Sequence, residues 1–209
     1  MENKEGIAKE KHIGIYGGTF SPPHIGHEHA ARAFLDHGGI DTLAVIPTFV
    51  TPLKERKEQT SPEDRLTMCR LAFSFSDRIS VSDIEICREG RSYTAETLKA
   101  LSAPNTRLSF LCGTDMFLTM DKWYMPEQIF KLARVVCMRR EDAEENARLL
   151  SEKAQLYRER FAAEIDFISI PPLVLSSSEI REKLKNGESA EGLLSPAVLS
   201  YIRERGLYV

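Results

Sequence analysis

The chain has 209 residues, of which 42% are hydrophobic and 28% charged, with a net charge of −3 from 28 Lys and Arg against 31 Asp and Glu. That balance fits one globular domain over residues 1–209 and argues against a protein that binds nucleic acid or acidic lipid through a broad basic surface. No run approaches the roughly 18–20 apolar residues that span a bilayer, and the charged stretch Met1–Lys11 lacks the apolar core of a secretory signal, so a cytoplasmic protein is expected.

Strand-like and helix-like segments alternate along the chain. His12–Tyr16 reads as a short strand closed by Gly17-Gly18, and Gly26–Asp36 as a helix with Ala30, Ala33 and Phe34 inward, ended by Gly38-Gly39. Thr42–Pro47 is a second apolar strand. Ser61-Pro62-Glu63-Asp64 opens a helix, with Ser at the N-cap, Pro in the first turn and acids near the positive end. Arg78–Ile84 reads as a strand and Thr94–Leu101 as a short helix. Arg107–Cys112 and Arg134–Met138 are further strands, separated by a segment that holds the one tryptophan, Trp123. Glu141–Ala163 is a long charged helix whose Ala147, Leu150, Ala154, Tyr157 and Phe161 form an apolar stripe facing a core. Ile165–Ile170 is a strand; Ser177–Asn186 and Ser195–Arg205 are the last helices, the second stopped by Gly206. This order predicts an α/β fold: a Rossmann-like, doubly wound, mainly parallel sheet with a small C-terminal helical part over about residues 176–209. Ligands of such sheets bind beyond the carboxyl ends of the strands. The four cysteines, Cys69, Cys87, Cys112 and Cys137, form no C-x-x-C pair, and each sits in an apolar run, which predicts buried, reduced thiols.

The densest chemistry lies between the first strand and the first helix, in Gly17-Gly18-Thr19-Phe20-Ser21-Pro22-Pro23-His24-Ile25-Gly26-His27. Adjacent glycines let a backbone approach a ligand closely. His24 and His27, three apart at a helix entrance, can face the same side, and Gly26 leaves room between the rings. Helix N-terminal amides suit an anion. Together these describe a phosphate site with two imidazoles over it, although neither G-x-x-x-x-G-K-[ST] nor G-x-G-x-x-G is present. His27 and His29 point about 200° apart on a helix, which disfavours a His24-His27-His29 metal cluster and leaves His12, His29 and His37 as solvated or packing residues.

Gly18-Thr19-Phe20-x-Pro22-x-His24-x-Gly26-His27 resembles the nucleotidylyltransferase superfamily pattern G-T-F-D-P-x-H-x-G-H. About 150 residues later, Ser176-Ser177-Ser178-Glu179-Ile180-Arg181 is similar to that superfamily's I-S-S-T-x-I-R motif. Three stretches resemble bacterial nicotinate-nucleotide adenylyltransferases in particular: Arg88–Leu98 their R-x-G-x-S-Y-T-x-D-T-L segment, Gly113-Thr114-Asp115 with Lys122-Trp123-Tyr124 their G-x-D…W segment, and Tyr201–Tyr208 their Y-I…L-Y ending. Pro47…Pro52-Leu53-Lys54 sits where that family has P…P-P-H-K. Ser21 stands for the usual Asp, Leu53 for a His, Leu175 for Ile and Ser178 for Thr.

The resemblance implies transfer of the adenylyl group of ATP to nicotinate mononucleotide, with these two as the ligands, no nucleic-acid or membrane partner, and a homo-oligomer left open. It implies His24, His27, Lys54 and Arg181 as catalytic groups, and Gly17, Gly18, Thr19, Phe20, Gly26, Ser176, Ser177 and Ile180 around the ATP phosphates. It implies Tyr93 and Thr94 at the nicotinate carboxylate, Trp123 stacked on the pyridine ring and Asp115 near the acceptor. Mg²⁺ would be held by phosphate and water rather than by protein ligands. The same motifs leave room for another acceptor, nicotinamide mononucleotide or phosphopantetheine, or for a non-catalytic, nucleotide-binding regulatory protein.

Overall fold

The computed structural model describes residues 10–51, 60–140, 144–171 and 175–209. Six strands, β1 (Lys11–Gly18), β2 (Thr42–Pro47), β3 (Ile79–Val81), β4 (Thr106–Gly113), β5 (Ala133–Arg140) and β6 (Ile165–Ile170), form one sheet in the order β3-β2-β1-β4-β5-β6. Every neighbouring pair is parallel. The helices are α1 (Ile25–His37), α2 (Pro62–Ala72), α3 (Ile84–Arg88), α4 (Thr94–Leu101), α5 (Thr114–Phe117), α6 (Pro126–Leu132), α7 (Glu144–Phe161), α8 (Ser177–Lys185) and α9 (Pro196–Arg205), with a 3-10 turn at Met120–Lys122.

The strands are apolar on both faces, as a parallel sheet covered by helices requires. Leu43, Val45, Leu111 and Val136 pack toward Ala31 and Phe34 of α1, Met68 of α2, Ile180 of α8 and Ile202 of α9. The alternate residues Ile46, Phe110, Cys112, Val135 and Cys137 pack toward Leu98 of α4, Ile129 of α6 and Leu150, Ala154 and Tyr157 of α7. The C-terminal helices α8 and α9 thus belong to the first of these cores. The strand order reverses between β1 and β4, which leaves a crevice at their carboxyl ends.

Several expectations shift. β1 runs through Gly17 and Gly18, which pair with Ile46 and Pro47, so the glycines end the strand from inside it. The strand expected at Arg78–Ile84 is only Ile79–Val81. Ser82-Asp83 turns the chain, Ser82 Oγ accepts from the Ile84 N–H at 3.3 Å, and Ile84 begins α3 instead. On that short helix the inward position belongs to Glu85, whereas Cys87 is exposed, contrary to the expected burial; Cys69, Cys112 and Cys137 are buried. In α7 Leu150, Ala154 and Tyr157 are buried as the stripe predicts, but Ala147 is exposed; residues 141–143 of the expected helix lie outside the described residues. Among the described residues no helix is long and apolar enough to cross a membrane.

Gly14, in the middle of β1, lets α1 lie close to the sheet. A methyl there would lie 2.4 Å from Ile40 Cδ1 and 2.8 Å from Phe34 Cε1. Gly14→Ala is therefore expected to overpack this contact and cost about 1–3 kcal/mol in denaturant unfolding; an unchanged midpoint would show that α1 yields freely.

Candidate active site

The loop after β1 is built around aromatic packing. Phe20 has φ 49° and a buried ring that meets Tyr16, His27 and Phe73 edge-on at centroid distances of 5.3, 5.1 and 5.7 Å. A Cβ on Gly18 would lie 2.8 Å from that ring, so the second glycine is needed for Phe20 to fold beneath the loop. His24 is the N-cap residue of α1 and is 6% exposed. Its ring lies 3.7 Å from that of His27, tilted by 31°. Gly26 makes this possible, since a Cβ there would sit 3.0 Å from the His24 ring.

The backbone N–H of His24 donates to His27 Nδ1 at 3.1 Å, which puts the His27 ring proton on Nε2. Burial pushes the His24 pKa down to about 4 against a smaller opposing pull from Glu179, while burial and then His24 hold His27 well below its usual value. The two imidazoles are therefore neutral at pH 7. His24 Nδ1 is buried with no hydrogen-bond partner among the described residues.

The far end of the chain closes on this loop. Ser176 caps α8: its Oγ accepts from the Glu179 N–H at 3.2 Å, and Glu179 Oε2 accepts from the Ser176 N–H at 3.0 Å. Ser177 Oγ donates to the Pro22 carbonyl at 2.9 Å, and Arg181 donates to the Ser21 carbonyl at 2.7 Å and to Ser178 Oγ at 3.1 Å. The Ile25 N–H donates to Leu193 O at 3.0 Å. Ser177 and Arg181, expected to meet phosphate, thus also grip the histidine loop. Ile180 points the other way, fully buried in the core, with its N–H bonded to Ser176 O at 3.2 Å.

Gly17, Gly18 and Thr19 line a cavity of about 440 Å³. Its walls include Ile46, Tyr93, Thr94, Phe110, Trp123 and Tyr124. Tyr93 and Thr94 begin α4, so the positive end of that helix borders the cavity. Trp123 is half-buried, edge-on to Phe110 at 6.2 Å, and its indole N–H donates to Thr119 Oγ1 at 3.4 Å. Tyr93 and Tyr124 face each other at 4.4 Å. Asp115 is exposed on the first turn of α5, just past the carboxyl end of β4, and does not line this cavity. Lys54 lies outside the described residues.

Two further residues belong to the site's construction. Arg65 is fully buried and donates to the Thr19 carbonyl at 2.9 Å and the Phe49 carbonyl at 3.1 Å, tying the loop to the chain after β2. Its sequence signal is its place on the buried stripe of α2 with Met68, Cys69 and Ala72. Glu85 is a buried carboxylate beside the cavity that accepts from Thr97 Oγ1 at 2.6 Å. Among the described residues no group of three or more His, Cys, Asp or Glu could hold a metal ion.

The neutral histidines make stability pH-dependent. The unfolded chain protonates an imidazole near pH 6.5, whereas folded His24 does so only near pH 4. Between these values the unfolded state binds more protons, so this contribution is complete above pH 6.5 and is lost as pH falls toward 4. In denaturant unfolding, His24→Gln should flatten that fall by on the order of 1 kcal/mol per pH unit; an unaltered slope would mean that His24 is not held neutral.

The cytidylyltransferase-like family model matches residues 15–183. A probable nicotinate-nucleotide adenylyltransferase of Lachnoclostridium phytofermentans is 34% identical over 199 residues, covering 94% of this chain and 98% of its own. One from Enterococcus faecalis is 32% identical over 200 residues, covering 95% of this chain and 85% of its own. In fold, the chain is similar to the Plasmodium falciparum nicotinic acid mononucleotide adenylyltransferase solved with NaAD, with a TM-score of 0.73 at 22% identity over 95% of this chain and 97% of that one. With the histidine loop, the closing helix and the cavity at the sheet's reversal, these likenesses make the chain a member of the nicotinate-nucleotide adenylyltransferase family of cytidylyltransferase-like proteins.

Proposed function

We propose that residues 1–209 act as one cytoplasmic domain that transfers the adenylyl group of ATP to nicotinate mononucleotide, giving nicotinate adenine dinucleotide and pyrophosphate. One observation carries this reading: the segment from Gly17 to His27 lines an apolar, aromatic-walled cavity at Gly17–Thr19 and carries a pair of close-set, neutral imidazoles at its other end. A phosphate site beside the imidazoles and a flat-ring site in the cavity would suit the two parts of such a reaction.

The acceptor's phosphate oxygen attacks the α-phosphorus of ATP. A P–O bond forms there as the bond to the β-phosphate oxygen breaks, and pyrophosphate leaves with that electron pair. A phosphomonoester is largely dianionic at pH 7, since its second pKa is about 6, so no strong general base and no covalent enzyme intermediate are needed. The protein's work is alignment and stabilisation of charge on the transferring group. His24 and His27 donate hydrogen bonds to phosphate oxygens, and their neutral resting state leaves them able to take up positive charge as negative charge gathers. Gly17, Gly18, Thr19, Phe20 and Gly26 shape the cradle, and Ser176, Ser177 and the backbone at Ile180 present the N-terminus of α8 to it. Arg181 offers the rest of its guanidinium, and Lys54 adds a second cation. A divalent cation such as Mg²⁺, carried with the triphosphate rather than by protein ligands, would neutralise phosphate charge.

On the acceptor side, Trp123 stacks on the pyridine ring, and the N-terminus of α4 at Thr94 receives its carboxylate beside Tyr93, whose own N–H donates to the Arg91 carbonyl at 3.1 Å. That arrangement favours the acid over the neutral amide. Asp115, exposed at the end of β4, bonds a ribose hydroxyl.

Pyrophosphate release from purified protein with Mg²⁺, ATP or CTP, and a panel of acceptors tests the reading. Release with ATP and nicotinate mononucleotide, much faster than with nicotinamide mononucleotide or phosphopantetheine, is expected. Nucleotide binding without turnover for every pair would leave a regulatory protein instead. Trp123→Ala should raise KM for the nicotinate substrate roughly tenfold, the loss of about one aromatic contact, with KM for ATP nearly unchanged. Equal effects on both substrates would contradict the stacking role.

A further inference from the structure

Ser21 is held twice. Its carbonyl accepts from Arg181, and its hydroxyl lies 3.1 Å from the phenol oxygen of Tyr208, 187 positions away in the chain. Both partners of the second contact are buried, Ser21 at 1% and Tyr208 at 8% exposure. Thr60 lies beside the same phenol, and Arg181 and Arg65 are charged groups that act on it. The backbone works to bring the ring there: Gly206 turns at φ 58° to end α9, and Tyr208 itself adopts φ 65°. A tyrosine persists in that left-handed region only where surrounding contacts over-determine it.

The phenol hydroxyl is not what anchors α9. Val198, Leu199 and Ile202 already bury that helix in the core. The Tyr201 hydroxyl donates to Asp64 Oδ1 at 2.7 Å, and Arg205 Nε to the same oxygen at 3.3 Å. What the Tyr208 hydroxyl adds is a grip on the loop. Ser21 is followed by Pro22, whose carbonyl is taken by Ser177, and His24 stands three residues on as the N-cap of α1. A shift of Ser21 therefore reaches both imidazoles through a short segment stiffened by Pro22 and Pro23.

We propose that Tyr208 is a positioning residue for adenylyl transfer, setting through the Ser21 hydroxyl the loop that carries His24 and His27; the proposal rests on the activity proposed above. Ser21 occupies the position of the family's usual aspartate, and in this chain the pairing is between two neutral hydroxyls, so neither partner brings a buried charge that must be compensated.

Tyr208→Phe removes one oxygen and keeps the ring. It should lower kcat by roughly ten- to a hundredfold with both substrates saturating, and leave KM for ATP within about twofold, because misalignment acts on the reacting geometry. It should also shift the imidazole NMR signals of His24 and His27 in the ligand-free protein. Ser21→Ala should reproduce both effects, and the double variant should lose little more than either single one. Tyr201→Phe, which loosens α9 without touching the loop, should lower Tm while kcat and the two imidazole signals stay at wild-type values. A Tyr208→Phe protein with kcat within about twofold of wild type and unshifted imidazole signals would overturn the proposal. So would a Tyr201→Phe protein with the same losses. The imidazole signals need no turnover, so an enzyme that failed to use nicotinate mononucleotide would defeat the proposed activity and still leave this inference to be decided.

Discussion

The hydrogen bond from Arg181 to the carbonyl of Ser21, 2.7 Å long and spanning 160 residues, is the constraint on which the site depends. The loop after β1 contains two prolines and so lacks two backbone donors. Its carbonyls at Ser21 and Pro22 turn away from the sheet and need partners from elsewhere. Arg181 and Ser177 supply them, and the charged donor makes the first bond the stronger kind. The capping box of Ser176 with Glu179 fixes the first turn of α8, so Ser177 and Arg181 approach the loop from a rigid element. Imidazole placement on the N-terminal half is thus set by a helix from the C-terminal half.

The electrostatics follow from the same closure. Packing Phe20 and Tyr16 against His27, with Phe73 against both of those rings, removes water from the imidazole and keeps it uncharged at rest. Arg65 brings a cation beneath the loop, but it is spent on the carbonyls of Thr19 and Phe49. The imidazole pair therefore presents ring nitrogens that carry no charge at rest, with the Arg181 guanidinium as the cation bonded to the same loop.

Much of this was legible in the residue order, for physical reasons. β2, α4 and β6 match their expected bounds because apolar β-branched runs or clear turn and cap residues delimit them. β3 and α3 were not, because Ile79–Ile84 is one apolar-polar mixture in which a two-residue turn decides where strand gives way to helix. In the site, the string from Gly17 to His27 names its chemistry locally. Arg65, Glu85 and Tyr208 do not: each looks like an ordinary helix or tail residue until the fold brings a distant loop or cavity against it. Ile180 shows the converse, since a residue within a functional motif can serve it from the core side.

Trp123 is the chain's one tryptophan, and it stands in the wall of the cavity at the sheet's reversal. Intrinsic fluorescence excited at the indole therefore reports a single place in the molecule. Its half-buried ring is partly in contact with Phe110 and partly open to the cavity, so an occupant that displaces water from that face changes the polarity the excited state senses. The protein carries a built-in optical probe of that cavity, with no background from any other indole.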